Sequence, residues 1–107
     1  MDAKTKALFE ARATIIKAVA HPTRLFIVDQ LSKKPLCVAE LTKMINMDMS
    51  TVSRHLVILK NAGIISDEKK GARVYYKLRT PCILNFFTCV ENVLKSSATD
   101  QLALVKR

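Results

Sequence analysis

The strongest constraint on the fold of this chain is a pair of short amphipathic segments with only three residues between them. The second segment, residues 49–63, repeats Val52, Leu56 and Leu59 at helical spacing on one side. The first segment, residues 37–45, also carries apolar side chains at helical spacing. Two amphipathic helices this close together predict a helix-turn-helix in which both apolar sides face one core.

The residues around the short connection suit the ends of these helices. Asn46 tolerates the left-handed backbone that such a turn requires, and Asp48 is a good N-cap for the second helix. Asn61 and Gly63 provide turn residues at its far end. We therefore expect the second helix to begin just after residue 48 and to end near residue 62.

The free side of the second helix carries side chains that can contact DNA. Ser50, Thr51, Ser53 and Arg54 crowd its first turns. Small hydroxyls approach base edges closely in a major groove, and a guanidinium can bind bases or phosphates. The alternative is a helical hairpin inside any small globular domain, so the choice depends on the rest of the chain.

The charge of the chain favours a polyanionic partner. Its 18 Lys and Arg residues exceed its 9 Asp and Glu residues, which gives a formal charge of +9. Nucleic acid attracts such a protein, and so, less specifically, does an anionic membrane surface. The excess of positive charge lies in and after the second helix, which we call the reading helix. Between positions 49 and 79 the only acidic residues are Asp67 and Glu68. The basic residues there are Arg54, Lys60, Lys69, Lys70, Arg73, Lys77 and Arg79. Among them we expect Lys60, near the end of the second helix, to bind DNA together with Arg54 and the basic residues at positions 69, 70 and 73.

Length and composition favour a single cytoplasmic domain. The 107 residues fit one domain, which we assign to residues 1–95, followed by a polar C-terminal tail at residues 96–107. No apolar run approaches the ~20 residues of a membrane span, and the first residues lack a signal-peptide core. We therefore expect a cytoplasmic protein with no membrane partner.

Two further helices are predicted before the helix-turn-helix. Residues 3–19 have apolar side chains at helical spacing, with Lys and Arg between them. Pro22 separates this helix from the next, because it disfavours helix in the residue before it and suits the first turn of a new helix. The next helix covers residues 23 to about 32. Its expected core residues are Leu25, Ile27, Val28 and Leu31.

After Gly63 the hydrophobic period changes from near four to two, which predicts a β-hairpin. A strand opens at residues 64–65, residues 67–71 form a charged turn, and residues 72–78 return as a second strand. The basic side chains expected to bind phosphates or a minor groove here are Lys69, Lys70 and Arg73. Directly behind a reading helix, such a hairpin is the wing of a winged helix, and the alternative is a solvated turn.

A last helix follows the hairpin, with Thr80 as N-cap and Pro81 as first residue. Its broad apolar stripe consists of Ile83, Phe86, Phe87, Val90, Val93 and Leu94. A helix this apolar on a domain this small must pack against something, and the first helix has the same need. The predicted fold is therefore mostly α with a β-hairpin wing (α+β), a winged helix-turn-helix that forms a homodimer through its first and last helices. The alternative is burial within a monomer.

Enzymatic function is not expected from this chain. It has no paired carboxylates, no Ser-His-Asp set and no glycine-rich phosphate loop among its two glycines. His21 and His55 have no evident catalytic partner in the sequence. A winged-helix adaptor that binds other proteins is the alternative to a DNA-binding protein. An adaptor, however, does not need hydroxyl residues and Arg54 on the first turns of the second helix.

Four blocks of sequence, taken in order, resemble the ArsR/SmtB family of winged-helix repressors. They are AVAHPTRLFI at residues 18–27, CVAEL at 37–41, STVSRHL at 50–56 and GARVYYKL at 71–78. The resemblance implies a homodimeric repressor that binds a double-stranded DNA operator and releases it when an inducer, typically a metal or metalloid ion, occupies the dimer. By position it assigns DNA reading to Ser50, Thr51, Ser53 and Arg54, and the wing to residues 69–73.

The chain departs from this family at the sensor sites. Members that sense arsenite carry Cys-Val-Cys where this chain has Cys37-Val-Ala, so one thiolate is missing. Members that sense zinc carry Asp and His ligands along the last helix. The matching positions here hold Thr80, Cys82, Val93 and Ser96, of which only Cys82 could be a ligand.

Three cysteines, Cys37, Cys82 and Cys89, leave three interpretations open. As(III) or another thiophilic ion could bind all three thiolates if the fold or a dimer brings them together. Cys82, in the first turn after Pro81, could instead be oxidised to a disulfide or polysulfide with a cysteine of another segment. The third interpretation is that all three pack as small apolar residues. The protein would then be a constitutive DNA-binding regulator with no cysteine sensor.

Overall fold

The computed structural model describes residues 1–106 and has the predicted architecture, with helices around a small antiparallel sheet. The helices are α1 (Ala3–Val19), α2 (Pro22–Leu31), α3 (Val38–Ile45), α4 (Met49–Asn61) and α5 (Ile83–Val105). The strands are β1 (Leu36–Cys37), β2 (Ile65–Lys70) and β3 (Arg73–Leu78). The mostly α winged helix-turn-helix expected from the sequence is therefore confirmed.

A single apolar core joins α2, α3, α4 and the beginning of β2. The side chains of Val52, Leu56 and Leu59 on α4 are completely buried in it, as their spacing predicted. Leu25 is an exception to the predicted core, because its side chain remains 40% exposed. It lies on a side of α2 that the described protomer leaves uncovered.

The N-terminal ends of the helices have identifiable caps. The Asp2 carboxylate accepts a hydrogen bond from the Thr5 N–H at 2.7 Å and begins α1. His21 caps α2 in a similar way, since its Nδ1 accepts from the Thr23 N–H at 3.1 Å, and Pro22 occupies the first turn. At α3 the Glu40 side chain accepts from the Cys37 N–H at 3.1 Å. Local sequence therefore sets where each of these helices begins.

The wing is longer and its turn is tighter than the sequence analysis predicted. Residues 67–70 were expected in a charged turn, but they continue β2 and pair with residues 73–76 of β3. Gly71, with a positive φ of 64°, and Ala72 alone connect the strands. A glycine at the first position of a two-residue hairpin loop is typical of a type II′ turn, whose twist matches that of the strands.

The sheet also contains a strand that the sequence analysis did not predict. The two residues of β1, Leu36 and Cys37, pair with Tyr76 and Tyr75 of β3, so the strand order is β1-β3-β2. A strand of two residues has no readable periodicity. The hydrogen bonds of this strand come from a partner almost forty residues away in the chain.

Both ends of α5 differ from the prediction. The helix begins at Ile83 rather than Pro81, because the Thr80 hydroxyl donates to the Gly63 carbonyl at 2.9 Å and does not cap α5. The predicted polar tail at residues 96–107 is helical as far as Val105, since no glycine or proline interrupts it; its residue 107 lies outside the described part of the chain. None of the helices in residues 1–106 is long and apolar enough to span a membrane.

We expect the substitution Leu56→Ala to reduce the free energy of unfolding by about 2–5 kcal/mol, because it removes a completely buried side chain and leaves a cavity. Val57→Ala is the matched control, because the Val57 side chain is 54% exposed, and we expect a change within about 0.5 kcal/mol. Urea unfolding at one fixed protein concentration measures both variants. Equal losses of stability would contradict the core described above.

Candidate DNA-binding surface

The orientation of α4 determines which of its side chains can reach an outside partner. The turn before it contains Asn46, whose φ of 60° and ψ of 45° are left-handed, as the sequence predicted. Val52, Leu56 and Leu59 hold one side of α4 against the core. The opposite side and the N-terminal end of α4 are therefore presented to the surroundings.

The predicted reading residues gather at this N-terminal end. Ser50 and Arg54 are exposed, while Thr51 and Ser53 are partly buried. All four lie on the first two turns of α4, which is the end of a recognition helix that contacts base edges. The structure therefore brings these four side chains onto one small surface.

Asp48, the N-cap of α4, organises this surface in a way that the sequence analysis missed. Its carboxylate accepts hydrogen bonds from the Ser50 hydroxyl, from the Thr51 hydroxyl at 2.7 Å and from the Thr51 N–H at 3.0 Å. These bonds, the Ser50 hydroxyl foremost, lower the pKa of Asp48 far below its ordinary value. The sequence signal for this arrangement is an aspartate N-cap followed, after Met49, by two hydroxyl residues.

Lys60, predicted to bind DNA, is held by a side chain of the wing. Its ammonium Nζ lies 2.8 Å from Oδ2 of Asp67 on β2. The hydrogen bond and charge of Asp67 raise the pKa of Lys60 above its ordinary value. An ion pair this exposed contributes at most about 1 kcal/mol to stability. It also offsets the Lys60 charge and links the last turn of α4 to the wing.

The other three predicted basic residues lie on the outer part of the wing. Lys69 and Lys70 are at the end of β2, and Arg73 begins β3 opposite Lys70. All three side chains are exposed, on either side of the Gly71–Ala72 loop. The wing therefore carries a cluster of cations at its tip.

The side chain of His55 is half-buried and lies against another histidine ring. The centroid of its ring lies 4.5 Å from that of His21, the N-cap of α2. The Nδ1 atom of His55 is buried and has no hydrogen-bond partner. Burial lowers the pKa of His55, and the nearby charges of His21, Arg24 and Arg54 lower it further. The neutral imidazole is therefore the form that the fold favours.

The three cysteines are not gathered in one protomer. Cys37 is buried at the end of β1, where α3 begins. Cys82, just before α5, and Cys89, on α5, are exposed. Among residues 1–106, no group of three or more His, Cys, Asp or Glu side chains could hold a metal ion. One described chain therefore does not form the three-thiolate site that As(III) requires.

Comparison with known proteins identifies related sequences. A family model described as "Bacterial regulatory protein, arsR family" matches residues 21–67. The transcriptional repressor SdpR of Bacillus subtilis is 31% identical over 86 residues, which cover 80% of this chain and 96% of SdpR. The HTH-type transcriptional repressor SmtB of Mycobacterium tuberculosis is 37% identical over 73 residues, or 68% of this chain. The match spans only 54% of the length of SmtB.

A solved structure has the same architecture. The homodimeric winged helix-turn-helix DNA-binding domain of Mb0332 from Mycobacterium bovis, described as a possible ArsR-family transcriptional regulator, superimposes with a TM-score of 0.77. The sequences are 26% identical, and the match covers 92% of this chain and 91% of that domain. Both sequence relatives are named as transcriptional repressors.

We expect acidification to destabilise the fold through His55. The pKa of this residue is lowered in the folded state, so the unfolded chain binds more protons below the ordinary pKa of about 6.5. Stability then decreases as the pH falls below about 6.5. Asp48 and Glu40 also have lowered pKa values in the folded state, so their protonation likewise reduces the stability of the fold. Their effect is confined to pH values below about 4.5.

Thermal unfolding between pH 5 and pH 7 measures this effect. The variant His55→Gln keeps a polar side chain without a titrating group, and we expect its stability to change less with pH over this interval than that of the wild type. An unchanged pH dependence would show that His55 is not the group responsible.

Proposed function

This chain belongs to the ArsR family of bacterial regulatory proteins, and on that premise we propose that it is a homodimeric transcriptional repressor that binds an operator in double-stranded DNA. The observation that carries the proposal is the N-terminal end of α4, where Ser50, Thr51, Ser53 and Arg54 share one accessible surface. The wing follows α4 directly and adds exposed cations. Direct base contacts would come from α4, and phosphate contacts from the wing.

Electrostatics supports DNA as the partner. The formal charge of +9 attracts a polyanion over distances of several ångströms, and Lys69, Lys70 and Arg73 concentrate positive charge at the wing tip. Lys60 has a smaller part in this proposal than the sequence suggested, because its positive charge is paired with the Asp67 carboxylate. Its ion pair instead supports the position of the wing beside α4.

The apolar surface left open on one protomer supports a dimer. No residue of α5 within the described chain is buried, although Phe86, Val90 and Leu94 are 44–65% exposed along it. α1 exposes Leu8 and Phe9, each to 50%. An apolar groove of about 840 Å³ also separates the α1 and α2 side of the domain from α5. Pairing two copies through α1 and α5 would cover these side chains and give two reading helices related by a twofold axis.

The exposed thiols of Cys82 and Cys89 are the positions at which an effector would release the operator. Cys89 lies on α5, the proposed dimer helix, and Cys82 directly precedes it, while Cys37 is buried. The two are seven residues apart, about 10 Å along one helix, so they cannot form a disulfide with each other. Oxidation would join one of them to a cysteine of the second copy, with two electrons and two protons passing to a peroxide that is reduced to water.

We expect Arg54→Ala to weaken binding to the chain's own promoter DNA by about 1–3 kcal/mol if Arg54 contacts a base. Lys33→Ala, two residues after the end of α2, removes the same charge outside α4 and the wing and should weaken binding much less. Fluorescence anisotropy at several salt concentrations measures both variants. For the wild type it should show a steep loss of affinity with salt, because several phosphates are contacted.

Two results would contradict the repressor proposal. One is a protein that remains monomeric in light scattering at micromolar concentration. The other is a wild type that binds its own promoter no better than unrelated duplex at physiological salt. An adaptor would keep its protein partner when Arg54 is replaced, so this variant also separates the two classes of function.

We expect peroxide to lower the operator affinity of the wild type by about 5- to 150-fold, equivalent to a coupling of ~1–3 kcal/mol between two dimer states. The double variant Cys82→Ser/Cys89→Ser should lose this response, and Cys37→Ser should keep it. Arsenite added in parallel tests a thiolate site shared between two copies. If the double variant responds as the wild type does, the thiols of α5 are not the sensor.

A further inference from the structure

We propose that Asp48 is a specificity-determining residue whose carboxylate accepts a hydrogen bond from the exocyclic amino group of cytosine or adenine in the major groove. This inference rests on the proposed function, because it concerns how the end of α4 reads DNA. It goes beyond that function by stating which bases the contacted position of the operator must contain.

The hydroxyl protons of Ser50 and Thr51 are already used within the protein. Ser50 and Thr51 both donate to the Asp48 carboxylate, the second at 2.7 Å. Each hydroxyl has one proton, so toward an outside partner these two residues present only oxygen lone pairs. Ser50 and Thr51, which the sequence indicates as DNA-reading residues, therefore act as hydrogen-bond acceptors toward DNA.

The carboxylate itself has further capacity to accept. Two oxygens carry about four acceptor positions, and the three bonds from Ser50 and Thr51 occupy three of them. Asp48 is exposed, and none of the ion pairs among residues 1–106 involves it. Its ionised form is favoured because these hydrogen bonds lower its pKa. The N-terminal end of α4 thus presents a negative acceptor that its hydrogen bonds to Ser50 and Thr51 hold in place.

An ionised acceptor restricts what can lie against it. DNA phosphates carry negative charge and no proton, so they cannot pair with Asp48. In the major groove, guanine presents N7 and O6 and thymine presents O4, all of which are acceptors. Only the amino groups of cytosine N4 and adenine N6 are donors there. Asp48 therefore favours C or A and disfavours G or T on the strand that it faces.

Selection of duplexes from a randomised pool by the full-length wild type and by Asp48→Ser tests this inference. Serine also caps a helix well, so the fold should be kept, but its hydroxyl both donates and accepts and accommodates any base. For the wild type we expect one position in each half-site where C or A binds about fivefold or more tightly than G or T. With Asp48→Ser that ratio should fall below about twofold, and unrelated duplex should bind more tightly because a negative charge is lost.

Asp2→Ser is the matched control, since Asp2 also caps a helix through the N–H three residues later but belongs to α1. It should leave base preference and affinity for unrelated duplex unchanged. Measured Kd values for four duplexes, with A, C, G or T at the affected position, distinguish the two amino bases. If the wild type selects an operator and Asp48→Ser selects it with the same preference at every position, this inference is wrong and the repressor proposal stands. If the wild type selects no sequence, both are wrong.

Discussion

The burial of one side of α4 is the interaction on which the rest of the structure depends. Val52, Leu56 and Leu59 are completely buried against the other core elements, and this fixes the rotation of the helix about its axis. A helix of 13 residues in isolation would be only marginally stable in water. Because packing holds its apolar side, its polar side and N-terminal end are available for recognition.

Polar groups at the two ends of α4 complete this arrangement. At the start, Asp48 binds two hydroxyls and one backbone N–H, which orders the side chains that would meet DNA. At the other end, the ion pair of Lys60 with Asp67 connects the helix to the wing. Charge is thus distributed unevenly, with an acceptor at the tip of α4 and cations on the hairpin beside it.

The described protomer leaves a large apolar surface on α1, α2 and α5 uncovered. α5 is joined to the core mainly through its first turns, where Ile83, Leu84 and Phe87 are partly buried. Beyond them its apolar side chains, such as Val90, Val93 and Leu94, are exposed. The exposed thiols of Cys82 and Cys89 lie on this same segment.

The sequence alone determined the features that depend on near neighbours in the chain. The period of the apolar residues located four of the five helices closely, Asn46 marked the left-handed turn, and the change to period two marked the wing. Four blocks of sequence in the order and spacing of the ArsR family also indicated that family. Tertiary structure decided the features that depend on distant partners. The pairing of Cys37 with Tyr75, the exposure of Leu25 and the ion pair of Lys60 each require knowing which elements meet, and local periodicity contains no such information.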